Sequence, residues 1–328
     1  MADLSTTYMG LPLKNPIIVS SSKLTSTLES VQACEKAGAG AVVLKSLFEE
    51  QISADIRESV GQDDSWTAHT ESLDYFSGMG KNYYMDAYLK LVKESKKNLS
   101  IPVIASLNCV SAGTWLDYAK SFEDAGADAL ELNYFIMPAD VKQEGSKVEE
   151  LYVEISRKIK SRVGLPVSMK IGPYFSGLAN MVSKLAQEGI SALVLFNRFY
   201  RPDVDIDRFE LKAAPIISRP QEISQSLQWI AILSGDVEID LAASTGVHDA
   251  EGVIKQLLVG AKAVQLCSTL LKNRVEYVQV ILKDLQEWMG KHKFERIEDF
   301  RGRLSQEKSD HPEAFERSQY VKALVGIS

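Results

Sequence analysis

The chain is short of cysteine, of positive charge and of long apolar runs, and each shortage removes a class of function. Its 328 residues hold three cysteines, Cys34, Cys109 and Cys267, and no CxxC pair. That spacing argues against a zinc site, an iron–sulfur cluster or a disulfide framework, and it fits a reducing cytoplasm. No metal is therefore expected. The net charge of -7 disfavours a broad nucleic-acid interface, which needs clustered lysine and arginine. No apolar stretch approaches the ~20 residues that span a bilayer. The opening MADLSTTYMG lacks the basic end and apolar core of a secretion signal. No GxGxxG follows the first apolar segment, so a dinucleotide-binding fold has no direct support. The expectation is a cytoplasmic protein with neither membrane nor nucleic acid as a partner.

What the chain does have is a degenerate internal repeat. EKAGAGAVVLKS, EDAGADALELN, AQEGISALVLFN and LLVGAKAVQLCS each read as the last turn of a helix, a glycine stop and a short apolar strand. The stops are Gly38, Gly126, Gly189 and Gly260, placed where a helix end favours a left-handed residue. The strands are nearly continuous apolar runs, as expected when both faces of a parallel sheet are buried. Four more strand candidates, NPIIVSSS, IPVIASLN, LPVSMKIG and VEIDLAAS, interleave with these. Helical periodicity occupies 27–37, 114–125, 147–162, 177–188, 221–233 and 249–258. Eight strands alternating with helices predict an α/β fold of the TIM (β/α)8-barrel type. No linker divides the chain, so one domain over 1–328 is expected, with a helical extension from about 306. Long connections at about 47–85, 134–146 and 198–218 all follow strands, which puts them on the catalytic face.

Residues at the C-terminal ends of barrel strands point into the active site. Here those ends are Ser20-Ser21-Ser22, Lys45-Ser46, Asn108, Asn133, Lys170, Asn197, Ser244-Thr245-Gly246 and Cys267-Ser268. Serine, asparagine and glycine also end strands simply to make turns. Two lysines and three asparagines at one mouth ask for more, because a lysine on an apolar strand needs an anionic partner or loses its charge. The last two strand ends supply the small residues of a phosphate site. Helix capping by Thr245 and Ser268 is the plainer reading of the same residues.

These residues, in this order, resemble the class 1 dihydroorotate dehydrogenase family, with kinship to the flavin domain of dihydropyrimidine dehydrogenases. The matching stretches are NPIIVSSS, AGAGAVVLKS, IASLNC, GADALELN, VSMKIGPYF, DVEIDLAASTGVHDAEGVIKQLLVGAKAVQLCSTL and IEDFRGRL, across residues 4–305. The resemblance implies an FMN-dependent oxidoreductase of pyrimidine metabolism, passing hydride between a small anionic ring and the flavin. It implies that Ser20, Ser21 and Ser22 lie along the flavin, and that Lys45 and Ser46 touch its ring on the substrate side. Asn133 and Asn197 would bind flavin and substrate, with Asn108 alongside. Lys170 would sit at the pyrimidine edge, and Ser244, Thr245, Gly246, Cys267 and Ser268 would grip the phosphate.

Three stretches depart from the family. The strand-two loop keeps only an echo of its motif in Phe76-Ser77-Gly78-Met79-Gly80, the glycine pair expected around 205–214 is absent, and the strand-four loop has changed. In the family, the strand-four loop carries a cysteine, or a serine in relatives, that takes a proton while hydride passes to the flavin. Here the stretch reads Asn133-Tyr134-Phe135-Ile136-Met137-Pro138, and neither Ile136 nor Met137 can accept a proton. Lys45 and Cys109 are the catalytic candidates, with Tyr134, Asp140 and Asp74 as further bases. His69 reads as a solvated loop residue and His248 as a helix-start residue. Two other functions remain open: a non-redox lyase or isomerase that grips a substrate phosphate, and a flavin-binding subunit without turnover. With no cluster cysteines and no second nucleotide module, electrons must leave through a soluble acceptor or a separate redox protein. A homodimer is possible.

Overall fold

The computed structural model describes residues 2–48, 70–108, 114–198, 202–213, 217–310 and 312–316. The chain opens with an antiparallel hairpin, β1 (Thr6–Tyr8) and β2 (Leu11–Leu13). The parallel strands then follow in turn. They are β3 (Ile17–Val19), β4 (Ala41–Val43) with its short continuation β5 (Leu47–Phe48), and β6 (Val103–Asn108). After them come β7 (Ala129–Asn133), β8 (Val167–Ile171) and β9 (Ala192–Leu195). A second hairpin, β10 (Pro202–Asp205) and β11 (Glu210–Ala213), interrupts before β12 (Asp240–Ser244) and β13 (Ala263–Leu266). Each parallel strand pairs with the next and β13 pairs back onto β3, which closes an eight-stranded barrel. The fold is the TIM barrel that the alternating pattern predicts.

The outer layer is formed by α1 (Leu28–Lys36), α2 (Thr70–Asn98), α3 (Thr114–Asp124), α4 (Gly145–Arg162), α5 (Leu178–Gln187), α6 (Ile223–Leu233) and α7 (Ala250–Val259). The short α8 (Ser268–Asn273), then α9 (Tyr277–Lys291), complete it. The four glycine stops all have positive φ, at 98°, 92°, 85° and 118°, so the repeat is a repeated helix-to-strand turn. One boundary differs from expectation: α2 begins at Thr70, inside the segment read as a loop to about 85. Gly78 and Gly80 hide it from a propensity reading, since each costs a helix about 1 kcal/mol. At the far end, α10 (Glu313–Glu316) packs on α6, where the Gln228 side chain donates to the Phe315 carbonyl at 3.0 Å.

Two apolar clusters follow from the two-residue period of the strands. Residues such as Ile17, Val19, Val42, Leu130, Leu132, Met169 and Leu193 face the helices. Their neighbours Ile18, Ala41, Val43, Ile104, Ala129, Ala192, Val194, Ala242 and Ala263 fill the barrel, together with Tyr8, Met9 and Leu13 from the first hairpin. That hairpin is fixed to the lower rim where the Met9 amide donates to Asp240 Oδ2 at 2.7 Å. One end of the barrel is thus sealed with apolar groups. The same period carries Ser20, Asn133, Lys170, Ser244 and Cys267 toward the interior at the other end.

Candidate active site at the barrel mouth

Lys170 is the centre of the open end. It is 7% exposed, and its ammonium donates to Ser20 Oγ at 3.1 Å and to Gln265 Oε1 at 3.0 Å. Both partners are neutral, and among the described residues Lys170 forms no ion pair. The other cation nearby, Arg198, is already matched by Glu222, with Nε 3.0 Å from Oε2. A buried ammonium held by neutral oxygens favours an electron-rich or anionic ligand above it.

A cavity of about 190 Å³ opens over this group, bounded by Ser20, Ser21, Lys170, Asn197, Gln265 and the strand-end residues Ser244, Thr245, Gly246, Cys267 and Ser268. A second, of about 180 Å³, shares Asn197, Arg198, Ser244 and Thr245 with it and extends toward Tyr174 and Ser224. Asn133 meets the first cavity through Asn197, whose Nδ2 donates to Asn133 Oδ1 at 2.6 Å. The pair fixes both amides and, among the described residues, leaves the Asn133 NH2 hydrogens and the Asn197 carbonyl for a ligand.

The residues expected to grip a phosphate are held by an arrangement that capping alone does not explain. Asp249, not Thr245, caps α7, accepting from the Gly252 amide at 2.8 Å. Thr245 instead adopts φ 72°, costly for a β-branched residue, and donates to the Phe196 carbonyl at 3.1 Å. Gly246 has φ 80°, and a Cβ there would run into the backbone nitrogen of Ile223. Ser268 accepts from the Ser218 amide at 3.0 Å, while Ser218 Oγ lies 3.1 Å from His248 Nε2. Burial, followed by the charge of Lys272, lowers the His248 pKa. The Cys267 thiol is raised by burial, against the influence of Lys170 and a hydrogen bond with Ser22, so it stays a neutral thiol.

Lys45 stands apart from Lys170. It lines an adjoining cavity of about 240 Å³ with Ser46, Phe48, Tyr84, Tyr88 and Leu91. The wall between the two is a run of hydroxyls: Ser21 Oγ lies 3.0 Å from Ser46 Oγ, which lies 2.7 Å from Ser106 Oγ. Ser22 caps the single turn Lys23–Thr25, accepting from the Leu24 amide at 3.2 Å, while its hydroxyl also meets the Cys267 thiol. Asn108 is half-buried at the end of β6, in register with Phe48. The lysines thus border neighbouring compartments of one mouth and do not share a single one.

The candidate bases fare differently. Burial pushes the Tyr134 phenol up to about 12, with Tyr152 and Glu154 adding to the rise, so it is protonated near neutral pH. Its ring packs edge-on against Tyr152 at 4.7 Å. Ile136 is tied down by its amide, which donates to the Tyr152 hydroxyl at 3.2 Å. Asp140 is exposed. Cys109 and His69 lie outside the described residues, as does the side chain of Asp74.

Reading strands as continuous apolar runs missed four contributors: Glu131, Gln265, Arg198 and Ser218. Glu131 and Gln265 stand two residues before Asn133 and Cys267 and share their inward face. A polar residue two places before a strand-end polar residue was the available signal.

The family model for dihydroorotate dehydrogenase matches residues 3–289. The chain belongs to the dihydroorotate dehydrogenase family. Within it, the chain is 26% identical to the dihydroorotate dehydrogenase B (NAD(+)) catalytic subunit of Thermoplasma acidophilum, over 92% of this chain and 99% of that protein. It is 26% identical to the protein of the same name from Methanothermobacter thermautotrophicus, over 91% of this chain and 97% of the relative. It is also 21% identical to the chloroplastic dihydropyrimidine dehydrogenase (NADP(+)) of Arabidopsis thaliana, over 97% and 80%. These relatives are dehydrogenases, which favours the redox reading over a lyase or isomerase. Among the described residues no helix is long and apolar enough to cross a membrane.

Proposed function

We propose that the chain is an FMN-dependent dehydrogenase or reductase acting on a small anionic ring. The observation that carries this reading is Lys170, an ammonium 7% exposed at the barrel mouth and held, among the described residues, only by neutral oxygens. Bound there, FMN would supply the two-electron chemistry by accepting or releasing hydride.

The residues present fit that group. Lys170 would hold the pyrimidine edge and stabilise the negative charge that reduction brings, a preorganised electrostatic contribution. The left-handed pair Thr245–Gly246 would turn the backbone toward a phosphate, and the missing side chain at Gly246 lets this turn pack directly on the Ile223 backbone. Asn133 and Asn197 would position the substrate ring, and Lys45 would attract its negative charge from the neighbouring compartment. Tyr134, buried edge-on against Tyr152, stays a neutral phenol and would not take the proton. With Ile136 and Met137 where the family has its base, a ring other than dihydroorotate belongs among the first substrates to try. Electrons would leave to a soluble acceptor or to a separate redox protein, as the words "catalytic subunit" in the relatives' names suggest.

Anaerobic stopped-flow with the FMN-loaded protein tests the reading. A panel of dihydropyrimidines, dihydroorotate included, should contain at least one member that bleaches the flavin. A panel that leaves the flavin oxidised, while matching oxidised pyrimidines fail to reoxidise photoreduced protein, would contradict it.

A further inference from the structure

Beneath Lys170 lies a carboxylate to which the site as described gives no task. Glu131, on β7, is 1% exposed in the barrel interior. Its Oε2 accepts from Gln265 Nε2, and the carbonyl oxygen of the same Gln265 accepts from Lys170 at 3.0 Å. The direction of the two bonds is set by chemistry. An ammonium can only donate, so the Gln265 amide turns its oxygen to Lys170 and its NH2 to Glu131. A positive group, an amide dipole and a carboxylate therefore stand in line across β8, β13 and β7. The other carboxyl oxygen, Oε1, is buried with no hydrogen-bond partner among the described residues.

Such a carboxylate is costly to bury, and its retention needs a reason beyond packing. We propose that Glu131 is the positioning residue and buried counter-charge for Lys170, acting through Gln265. In this arrangement Gln265 holds the ammonium under the ligand, and Glu131 holds Gln265. The negative charge of Glu131 also offsets part of the positive charge that Lys170 presents upward. The Lys170 ammonium thus grips an anion less strongly than it would alone, which keeps oxidised and reduced ligand closer in affinity.

The titratable groups facing Glu131 are few. Lys170 comes from β8, the Tyr8 phenol from the plugging hairpin and the Tyr88 phenol from α2. Both phenols are raised chiefly by burial, with Glu131 adding to the rise and Asp240 acting on Tyr8 as well. They are therefore neutral near pH 7, and Lys170 is the only facing group among the described residues that carries charge there. Burial raises the Glu131 pKa and Lys170 opposes the rise.

The test has two arms, and only the second rests on the flavin reading above. In the first, flavin-free protein labelled at the glutamate carboxyl carbons is titrated by NMR. The Glu131 signal is assigned by its loss in Glu131→Gln or its displacement in Glu131→Asp. Replacing Lys170 by methionine should raise the proton affinity of Glu131 about tenfold or more. A Glu131 signal with the same midpoint in both proteins, or in one unchanged state throughout in both, overturns the proposal. In the second arm, the midpoint potential of bound FMN is measured in wild type and Glu131→Gln. Losing the counter-charge should favour reduced over oxidised FMN about tenfold, a rise of about 30 mV for a two-electron couple. Glu131→Asp, which restores the charge, should return most of the shift. Equal potentials overturn the proposal. Protein that takes up no FMN at all refutes the flavin reading, and the first arm still decides the role of Glu131.

Discussion

The two sides of the barrel mouth are built on different plans. On β3, β8 and β13, with Glu131 reaching in from β7, buried polar side chains fix one another: Ser20, Lys170, Gln265 and Glu131 form one connected set. On the side of β4 and of the loop after β7, Lys45 stands in its own compartment, and that loop offers Ile136 and Met137 where a proton acceptor is expected. The first side has the preorganisation that a constant ligand needs, because every group is aimed before the ligand arrives. The second side depends on loops, where residues change at little cost to the fold. A chain can thus keep its cofactor chemistry while its substrate changes.

The comparison breaks first at Lys170. Lys170→Ala should lower the preference for reduced over oxidised FMN about 100-fold, a fall of about 60 mV in midpoint potential. Spectroelectrochemistry reads this directly, and an unchanged potential would make the two sides equivalent. Next comes the backbone of the proposed phosphate grip. Gly246→Ala places a Cβ against the Ile223 nitrogen at a left-handed position, and should cost about 2–3 kcal/mol of stability in urea denaturation. A loss below ~0.5 kcal/mol would show that the loop relaxes freely.

A smaller effect sharpens the contrast. Lys45→Ala should raise the substrate KM about tenfold, the worth of one partly solvated charge contact, while leaving the flavin potential unmoved. If the potential shifts as far as in Lys170→Ala, the two compartments act as one. The smallest effect is expected at Tyr134. Its pKa of about 12 lies above the ordinary phenol value, so the proton stays on through the neutral range. Stability from this group is complete below pH 10 and falls as pH rises past it. Tyr134→Phe should therefore leave the pH–rate profile unchanged between pH 6 and 9, roughly the range where a catalytic base titrates. A displaced acidic limb would identify Tyr134 as a base after all.

The barrel itself was legible because its signal is repeated. AGAGAVVL, AGADALEL, EGISALVL and VGAKAVQL each specify the same turn and strand, and any one supports the others. The hairpins β1–β2 and β10–β11 were not legible, since three- and four-residue strands without an NG or DG turn resemble ordinary connections. At the site, Lys170 and the residues proposed to grip phosphate stood out as polar groups ending apolar strands. Glu131 and Gln265 did not, because a single polar residue within ALELN or AVQLCS reads as tolerated variation until the two-residue period places it inside the barrel. The separation of Lys45 from Lys170 depends on the hydroxyl run Ser21–Ser46–Ser106, which joins three distant segments and has no signature in any of them.

The central claim is that a buried, neutral-ligated ammonium at the mouth holds FMN. Equilibrium titration of flavin-free protein with FMN, followed by quenching of flavin fluorescence, tests it most directly. One FMN bound per chain, and markedly weaker binding in Lys170→Ala, is the predicted result. Colourless protein that leaves the fluorescence of added FMN unchanged would contradict it.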